Sequence, residues 1–165
     1  MSCRAAPPLP RHLLDFVQSA QHGVILVSFG SILQASAMPE HKRQMMLRVF
    51  SRLEQKVIWK WELEMPDAPE NVLISPWLPQ TSLLAHSNVK VFISHGGAGS
   101  IQETICHNTP IVGVPFFGDQ TVNVREAVNR NIGRAVPWFE MDELVFEKEI
   151  KEVAAAAARI NKLKA

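Results

Sequence analysis

The chain has 165 residues, 47% of them hydrophobic, and its 17 Lys and Arg nearly balance 16 Asp and Glu. This length and apolar share fit a single domain with a buried core. The net charge of +1 gives no broad basic field, so we expect neither a nucleic-acid partner nor an anionic membrane surface. An anionic ligand would have to be held by local groups.

Cysteine spacing and hydropathy argue against further classes of protein, namely disulfide-rich, zinc-binding and membrane-spanning ones. Cys3 and Cys106 are far apart and in no metal-binding spacing, so we predict neither a disulfide framework nor a zinc site. No apolar stretch approaches the roughly 20 residues that span a bilayer, and residues 1–10 lack the apolar core of a signal peptide. We expect the chain as given to be soluble.

Strand and helix patterns alternate along the chain. Residues 23–29 predict a buried strand that ends at Gly30-Ser31, and Pro39 begins a helix with apolar residues at helical spacing. The other predicted strands cover residues 56–61, 72–75, 89–93, 111–114 and 132–136. The other predicted helices cover 80–85, 100–107, 121–130 and residues from about 142 onward, including Ala154–Ala158. The alternation predicts an α/β fold with a Rossmann-like, doubly wound parallel sheet over residues 1–165.

Glycines and polar residues concentrate in the loops that follow the predicted strands. These segments are Gly30-Ser31, residues 77–80, residues 95–100 and residues 117–120. In a doubly wound sheet, ligands bind outside the carboxyl ends of the strands. The four loops therefore predict one binding site on that rim.

The segment 94–103 places three glycines between a strand and a helix. Such a turn lets the backbone approach a phosphate, which the amides at the helix start would bind. The alternative is a tight turn with a capping box, since Ser100 and Glu103 have the spacing of that motif. His95 is open to the same two interpretations, as a ligand-contacting or a structural residue.

Two further loops carry candidate ligand groups. Pro79 keeps Trp77 on an extended connection where its indole could stack on a base, although a core position for Trp77 is the alternative. Trp59 and Trp61 alternate along a strand and better fit the core. Asp119 and Gln120 suit sugar hydroxyls, but Asp119 could instead cap the following helix.

Taken together, these motifs resemble the UDP-glycosyltransferase family in its animal form. The resemblance is carried by 77–80 (WLPQ), 83–86 (LLAH), 92–97 (FISHGG), Ser100, Glu103, Pro110, Pro115 and Asp119-Gln120. The segments around 27–31 and 56–60 also match, so the resemblance covers about four fifths of the chain. Two departures stand out, because many relatives have Asn at the position of Gly99 and commonly Gly at that of Asn108.

The resemblance implies that this chain is the C-terminal, UDP-sugar-binding half of a GT-B glycosyltransferase. Trp77 would stack on uracil, and Gln80 and Glu103 would bind the ribose hydroxyls. The diphosphate would contact His95, Gly97, Gly99 and Ser100, with Ser31 closing from the other side. The sugar would contact Asp119 and Gln120.

The resemblance also implies the reaction, an inverting hexosyl transfer to the hydroxyl of a small lipophilic acceptor. It needs no metal and no cofactor beyond the UDP-sugar co-substrate, because amides and a helix terminus stabilise the departing charge. The family's catalytic base lies in the N-terminal acceptor domain, so no catalytic residue is assigned here. The whole protein would be a detoxification enzyme of the endoplasmic reticulum membrane, facing the lumen, and this fragment alone would be inactive.

Two rival interpretations remain. A stand-alone donor subunit, as in the two-chain N-acetylglucosaminyltransferases that resemble the bacterial cell-wall transferase, would also suit residues 95–100, but those proteins lack the WLPQ and Asp-Gln motifs. A non-catalytic or NAD-type Rossmann module expects G-x-G-x-x-G after the first strand, which residues 30–35 do not supply.

Overall fold

The computed structural model describes residues 3–164 of the chain, and the side chains of residues 3–159. One sheet of six strands occupies the centre of this part of the chain. Its strands are β1 (Val24–Ser28), β2 (Lys56–Lys60), β3 (Val72–Ser75), β4 (Val89–Ser94), β5 (Ile111–Gly113) and β6 (Gly133–Ala135). Each predicted strand is present, with its ends within one or two residues of the expected positions.

The helices follow the strands as the alternation predicts. They are α1 (Arg11–Gln18), α2 (Glu40–Ser51), α3 (Gln80–Ala85), α4 (Ala98–His107), α5 (Asp119–Asn129) and α6 (Glu143–Lys164). Helices α4 and α5 each begin two residues earlier than predicted. Helix α1 was not predicted, since it is short and buries only Leu13 and Val17.

The strand order is β3-β2-β1-β4-β5-β6, and every neighbouring pair is parallel. This is the order of the doubly wound nucleotide-binding fold, in which the direction of winding reverses between the first and fourth strands. The predicted fold class is therefore confirmed. The crevice for a ligand lies at the carboxyl ends of β1 and β4, where the order reverses.

A separate apolar core covers each face of the sheet. On one face, α2 and α6 bury Phe50 and Phe146 against Trp59, whose ring centroid lies 5.4 Å from that of Phe50. On the other face, α1 and α3 bury Val17 and Leu83. Trp59 and Trp61 are 0% and 5% exposed, which confirms their core assignment. The alanine run also contributes, because Ala154 and Ala157 are buried in α6.

Asn108 ends α4 in the left-handed conformation, with φ of 54° and ψ of 34°. Asparagine is among the few side chains that tolerate this region. Asn108 therefore allows the helix to end in this conformation without a glycine.

Cys3 and Cys106 form a disulfide, with their Cα atoms 5.6 Å apart. The expectation that these cysteines form no disulfide is thus wrong. They are separated by 103 residues in sequence, and only the fold brings the segment before α1 against α4. The spacing of the two cysteines carries no information about that contact.

We predict that this disulfide contributes a large share of the stability. Closing a loop of about this length restricts the unfolded chain, and native disulfides typically contribute about 2–4 kcal/mol. Cys3→Ser should lower the free energy of unfolding in urea by that amount. Wild type in reducing agent should fall to the same value, whereas the variant should not respond to reductant. Equal unfolding curves for wild type with and without reductant would contradict the prediction.

Candidate functional site

The loops after β1 and β4 lie side by side because Ser28 and Ser94 are partners in the sheet. The hydroxyl groups of both serines stabilise the same kind of turn after their strands. Ser28 Oγ accepts a hydrogen bond from the amide of Gly30 over 3.4 Å, and Ser94 Oγ accepts one from the amide of Gly96 over 3.3 Å. Gly30 and Gly96 both have positive φ. Two matched turns therefore form the floor of the crevice.

His95 fills the space between these turns. A Cβ atom added to Gly30 would lie 3.0 Å from Cε1 of His95, and one added to Gly97 would lie 2.6 Å from its Nε2. Within residues 3–159, Nδ1 of His95 is buried and has no hydrogen-bond partner. Burial lowers the pKa of His95, and the negative charge of Asp119 opposes the shift. An unpaired buried nitrogen is costly, and such groups concentrate at functional sites.

The N-terminus of α4 opens into the same crevice. Gly97 is its N-cap, and no side chain caps this end of the helix. The amides of the first three helical residues, Ala98 to Ser100, therefore have no partner within the helix and remain available to an anion. A Cβ added to Gly99 would have nothing within 4 Å. The approach to these amides is thus open.

The capping box predicted as an alternative for Ser100 and Glu103 does not form. Ser100 is the third residue of the helix and lies three positions after the N-cap Gly97, so it cannot act as the cap. Glu103 instead contacts α3, where its Oε2 accepts from Nε2 of Gln80 over 2.5 Å and its Oε1 accepts from Oγ1 of Thr81 over 2.6 Å. The carboxylate is held between the two helices, next to the open helix terminus.

Trp77 lies on the rim after β3 and is 67% exposed, which rules out the core position. Its carbonyl accepts a hydrogen bond from Oγ of Ser75 over 2.7 Å, which fixes the backbone ahead of α3. A cavity of about 370 Å³ adjoins the indole and is also lined by Gln80 and Thr81. The ring therefore offers a flat apolar face beside the residues that contact Glu103.

Asp119 and Gln120 begin α5 but differ in their surroundings. The N-cap of α5 is Gly118, so the alternative in which Asp119 caps this helix does not hold. Asp119 is the first helical residue and its side chain is exposed. Gln120 is 4% exposed, and its Oε1 accepts from the amides of Phe116 and Phe117 over 3.0 and 3.4 Å. Its carbonyl orders the loop, and only its amide nitrogen remains for a ligand.

Ser31 lies on the same rim of the sheet, in a loop that two side chains from the neighbouring segment contact. Ser31 is exposed in the turn after β1. Nζ of Lys60 lies 3.4 Å from the carbonyl oxygen of Gly30, and Oε2 of Glu62 accepts from the amide of Ala35 over 3.0 Å. Lys60 is the last residue of β2 and Glu62 follows that strand, and both hold the Ser31 loop from the side, but the sequence offered no pattern that identifies them.

Asn123 and Thr81 are the other contributors that the sequence did not reveal. Nδ2 of Asn123 donates to the carbonyl of Gly96 over 3.1 Å and so ties α5 to the glycine loop. Thr81 binds Glu103 as described above. Both contacts depend on how neighbouring helices cross, so only the adjacency of Thr81 to Gln80 could have drawn attention to it.

A larger cavity of about 570 Å³ lies elsewhere, between α2 and the loop after β2. Its charged residues already pair with each other, since Nη1 of Arg43 lies 2.8 Å from Oδ1 of Asp67 and Nη2 of Arg43 lies 2.6 Å from Oε1 of Glu40. It contains none of the predicted site residues. The crevice at β1 and β4, where most of the predicted residues lie, is therefore the better candidate.

The fold is Rossmann-like and is shared with glycosyltransferases of known structure. The chain resembles the glycosyltransferase of kitacinnamycin, with a TM-score of 0.71 and 28% identity over 86% of this chain and 38% of that one. Its fold also matches a UDP-glucose: anthocyanidin 3-O-glucosyltransferase in complex with UDP, with a TM-score of 0.76 and 19% identity over 97% and 40% of the two chains.

Residues 1–161 match the family described as UDP-glucoronosyl and UDP-glucosyl transferase, and the chain belongs to this family. It is 39% identical to UDP-glycosyltransferase UGT5 of Dactylopius coccus over 142 residues, which are 85% of this chain and 27% of that protein. It is 37% identical to UDP-glucuronosyltransferase 2B14 of Oryctolagus cuniculus over 143 residues, which are 86% and 27% of the two. The chain thus spans about a quarter of the length of these relatives.

No helix in the described part of the chain combines the length and apolar character needed to cross a membrane. Among the same residues, no three His, Cys, Asp or Glu side chains are grouped so that they could hold a metal ion.

The surroundings of His95 predict a pH dependence of stability. Its pKa lies below the ordinary value of 6.5 because burial disfavours the charged ring. The unfolded chain then binds a proton at a higher pH than the folded chain. The stabilisation from neutral His95 is therefore complete above pH 6.5 and is lost as the pH falls below that value.

This dependence can be measured by urea unfolding between pH 7.5 and 5. His95→Gln should flatten the decrease in unfolding free energy below pH 6.5. His12→Gln, at an exposed position of α1, should leave the decrease unchanged. If His95→Gln keeps the full pH dependence of wild type, His95 is not its source.

Proposed function

We propose that this chain binds a UDP-sugar and supplies the donor half of an inverting transfer of a hexosyl group to a hydroxyl acceptor. The observation that carries the proposal is the uncapped N-terminus of α4, with its free amides beside a part-buried His95 that has an unpartnered ring nitrogen. Such a site suits a diphosphate although the chain has almost no net charge. The family relationship points to the same ligand.

The donor would lie across the rim from Trp77 to Asp119. The base stacks on the exposed indole of Trp77, since aromatic rings bind bases in this way. The ribose hydroxyls donate to Gln80 and Glu103, and the sugar contacts Asp119 and the amide nitrogen of Gln120. The diphosphate is bound by a larger group, namely His95, Gly97, Gly99, Ser100 and Ser31.

The same groups would assist the departure of UDP. Free amides and the positive end of the α4 dipole are fixed before the reaction, so they stabilise the growing charge on the diphosphate without rearrangement. A neutral His95 could add a hydrogen bond without the cost of burying a charge. No metal enters this mechanism. The base that activates the acceptor hydroxyl would come from an acceptor-binding N-terminal domain of the same protein.

We infer that the whole protein works in the lumen of the endoplasmic reticulum, on small lipophilic acceptors and in detoxification. The disulfide between Cys3 and Cys106 supports the compartment, because disulfides persist in oxidising environments such as that lumen. The names of the mammalian and insect relatives support the class of reaction. A disulfide that stays open in protein isolated from that lumen would argue against the assignment.

The proposal predicts that the chain binds UDP but transfers no sugar. UDP should quench tryptophan fluorescence, and Trp77→Ala should abolish most of that change because the base loses its stacking partner. Trp59→Phe, in the core, should retain it. Transfer of glucose or glucuronic acid to a small phenol by the chain alone would contradict the first part. Loss of the signal in Trp59→Phe but not in Trp77→Ala would contradict the second.

A second prediction concerns Glu103. Glu103→Gln replaces a charged acceptor by one carbonyl and one amide group, and hydrogen bonds to a charged partner are worth about 1.5–3 kcal/mol. UDP affinity should fall by about tenfold to a hundredfold. Binding of 2′,3′-dideoxy-UDP should change little, because this ligand lacks the hydroxyls. Calorimetric titration of both ligands tests this, and an equal loss for both would contradict the ribose role.

A further inference from the structure

Thr81 lies beside Gln80 in the first turn of α3, and both side chains contact the same carboxylate of α4. Oγ1 of Thr81 donates to Oε1 of Glu103 over 2.6 Å, while Nε2 of Gln80 donates to Oε2 over 2.5 Å. All three residues are part-buried. Each carboxylate oxygen therefore has one donor from the protein and keeps one further acceptor position.

These two contacts fix which hydrogen-bonding groups remain free. One N–H of the Gln80 amide is engaged, whereas its carbonyl oxygen accepts no hydrogen bond within the described part of the chain. Gln80 therefore keeps a free carbonyl acceptor and a second N–H, and the free positions on Glu103 are acceptors. Two adjacent hydroxyl donors, as on a ribose, complement them, and a sugar without hydroxyls leaves them unpaired at a cost.

The threonine is well suited to hold the carboxylate. Its branched side chain has few allowed rotamers in a helix, so its hydroxyl is directed before a ligand arrives. Without that hydroxyl, Oε1 loses its protein donor, and Glu103 is held by Gln80 alone. The carboxylate could then rotate away from the geometry that two ribose hydroxyls require.

We propose that Thr81 is a positioning residue that sets the selectivity for ribose over deoxygenated sugars by orienting Glu103. This rests on the proposed function, in which Glu103 binds the ribose of UDP. Thr81 itself does not touch the ligand in this proposal. Its effect should therefore appear in the ratio of affinities for two ligands that differ only in their hydroxyls.

The test is titration of UDP and 2′,3′-dideoxy-UDP against the 165-residue chain and its variants. Wild type should prefer UDP by about tenfold to a hundredfold. Thr81→Val keeps the shape but removes the hydroxyl, and it should lower that preference by about threefold to tenfold, mainly through weaker UDP binding. Thr81→Ser restores a donor and should recover most of it. Thr81→Ala provides the same test if the valine variant does not fold.

Thr109→Val is the matched control. Oγ1 of Thr109 donates to the carbonyl of Leu84 over 3.0 Å, so this hydroxyl also joins α3 to the chain after α4, but it does not reach Glu103. If Thr81 merely anchors α3, both valine variants should change stability and leave the UDP preference alone. A preserved preference in Thr81→Val, or an equal loss in Thr109→Val, overturns the proposal.

Glu103→Gln separates this proposal from the proposed function. If Glu103→Gln loses the preference for UDP and Thr81→Val keeps it, the ribose role of Glu103 stands and the role of Thr81 fails. If wild type shows no preference, or Glu103→Gln retains it, Glu103 is not a ribose ligand and both proposals fail. Loss in both variants, with recovery in Thr81→Ser, supports both.

Discussion

The pairing of β1 with β4 at the centre of the sheet is the constraint on which the site depends. Because Ser28 and Ser94 are partners in that ladder, the two following turns lie next to each other, and His95 fits between Gly30 and Gly97. A shift in this register would separate the glycine loop from the Ser31 turn. The strands of this pair are buried along their length and pack against an apolar core on each face, which holds them in place.

The side-chain network around α4 converts this backbone arrangement into a site with defined polarity. Helix α4 offers donors at its N-terminus and, one turn further on, an acceptor at Glu103 that α3 holds in place. A nucleoside diphosphate presents the opposite order, with acceptors on its phosphates and donors on its ribose. In the proposed function, complementarity of hydrogen bonds along one helix would account for binding without a strongly charged pocket.

The sequence predicts the sheet and the rim well, because those depend on local patterns. Apolar runs place the strands within one or two residues, and Pro79 correctly keeps Trp77 out of the core. Contacts between distant elements leave no such pattern. The pattern predicts too late a start for α4, because Gly97 and Gly99 are typical of a loop. The partners of Glu103 and the disulfide at Cys106 depend on how elements cross. For those features only the folded chain is informative.

Backbone amide NMR of the chain during titration with UDP and with uridine tests the central claim most directly. The account predicts that UDP shifts the amides of residues 97–100 together with the indole signal of Trp77. Uridine, which lacks the phosphates, should shift the Trp77 signal and leave the amides at the start of α4 nearly unchanged. Shifts confined to another surface, or equal shifts at residues 97–100 with both ligands, would contradict the assignment of this crevice as the donor site.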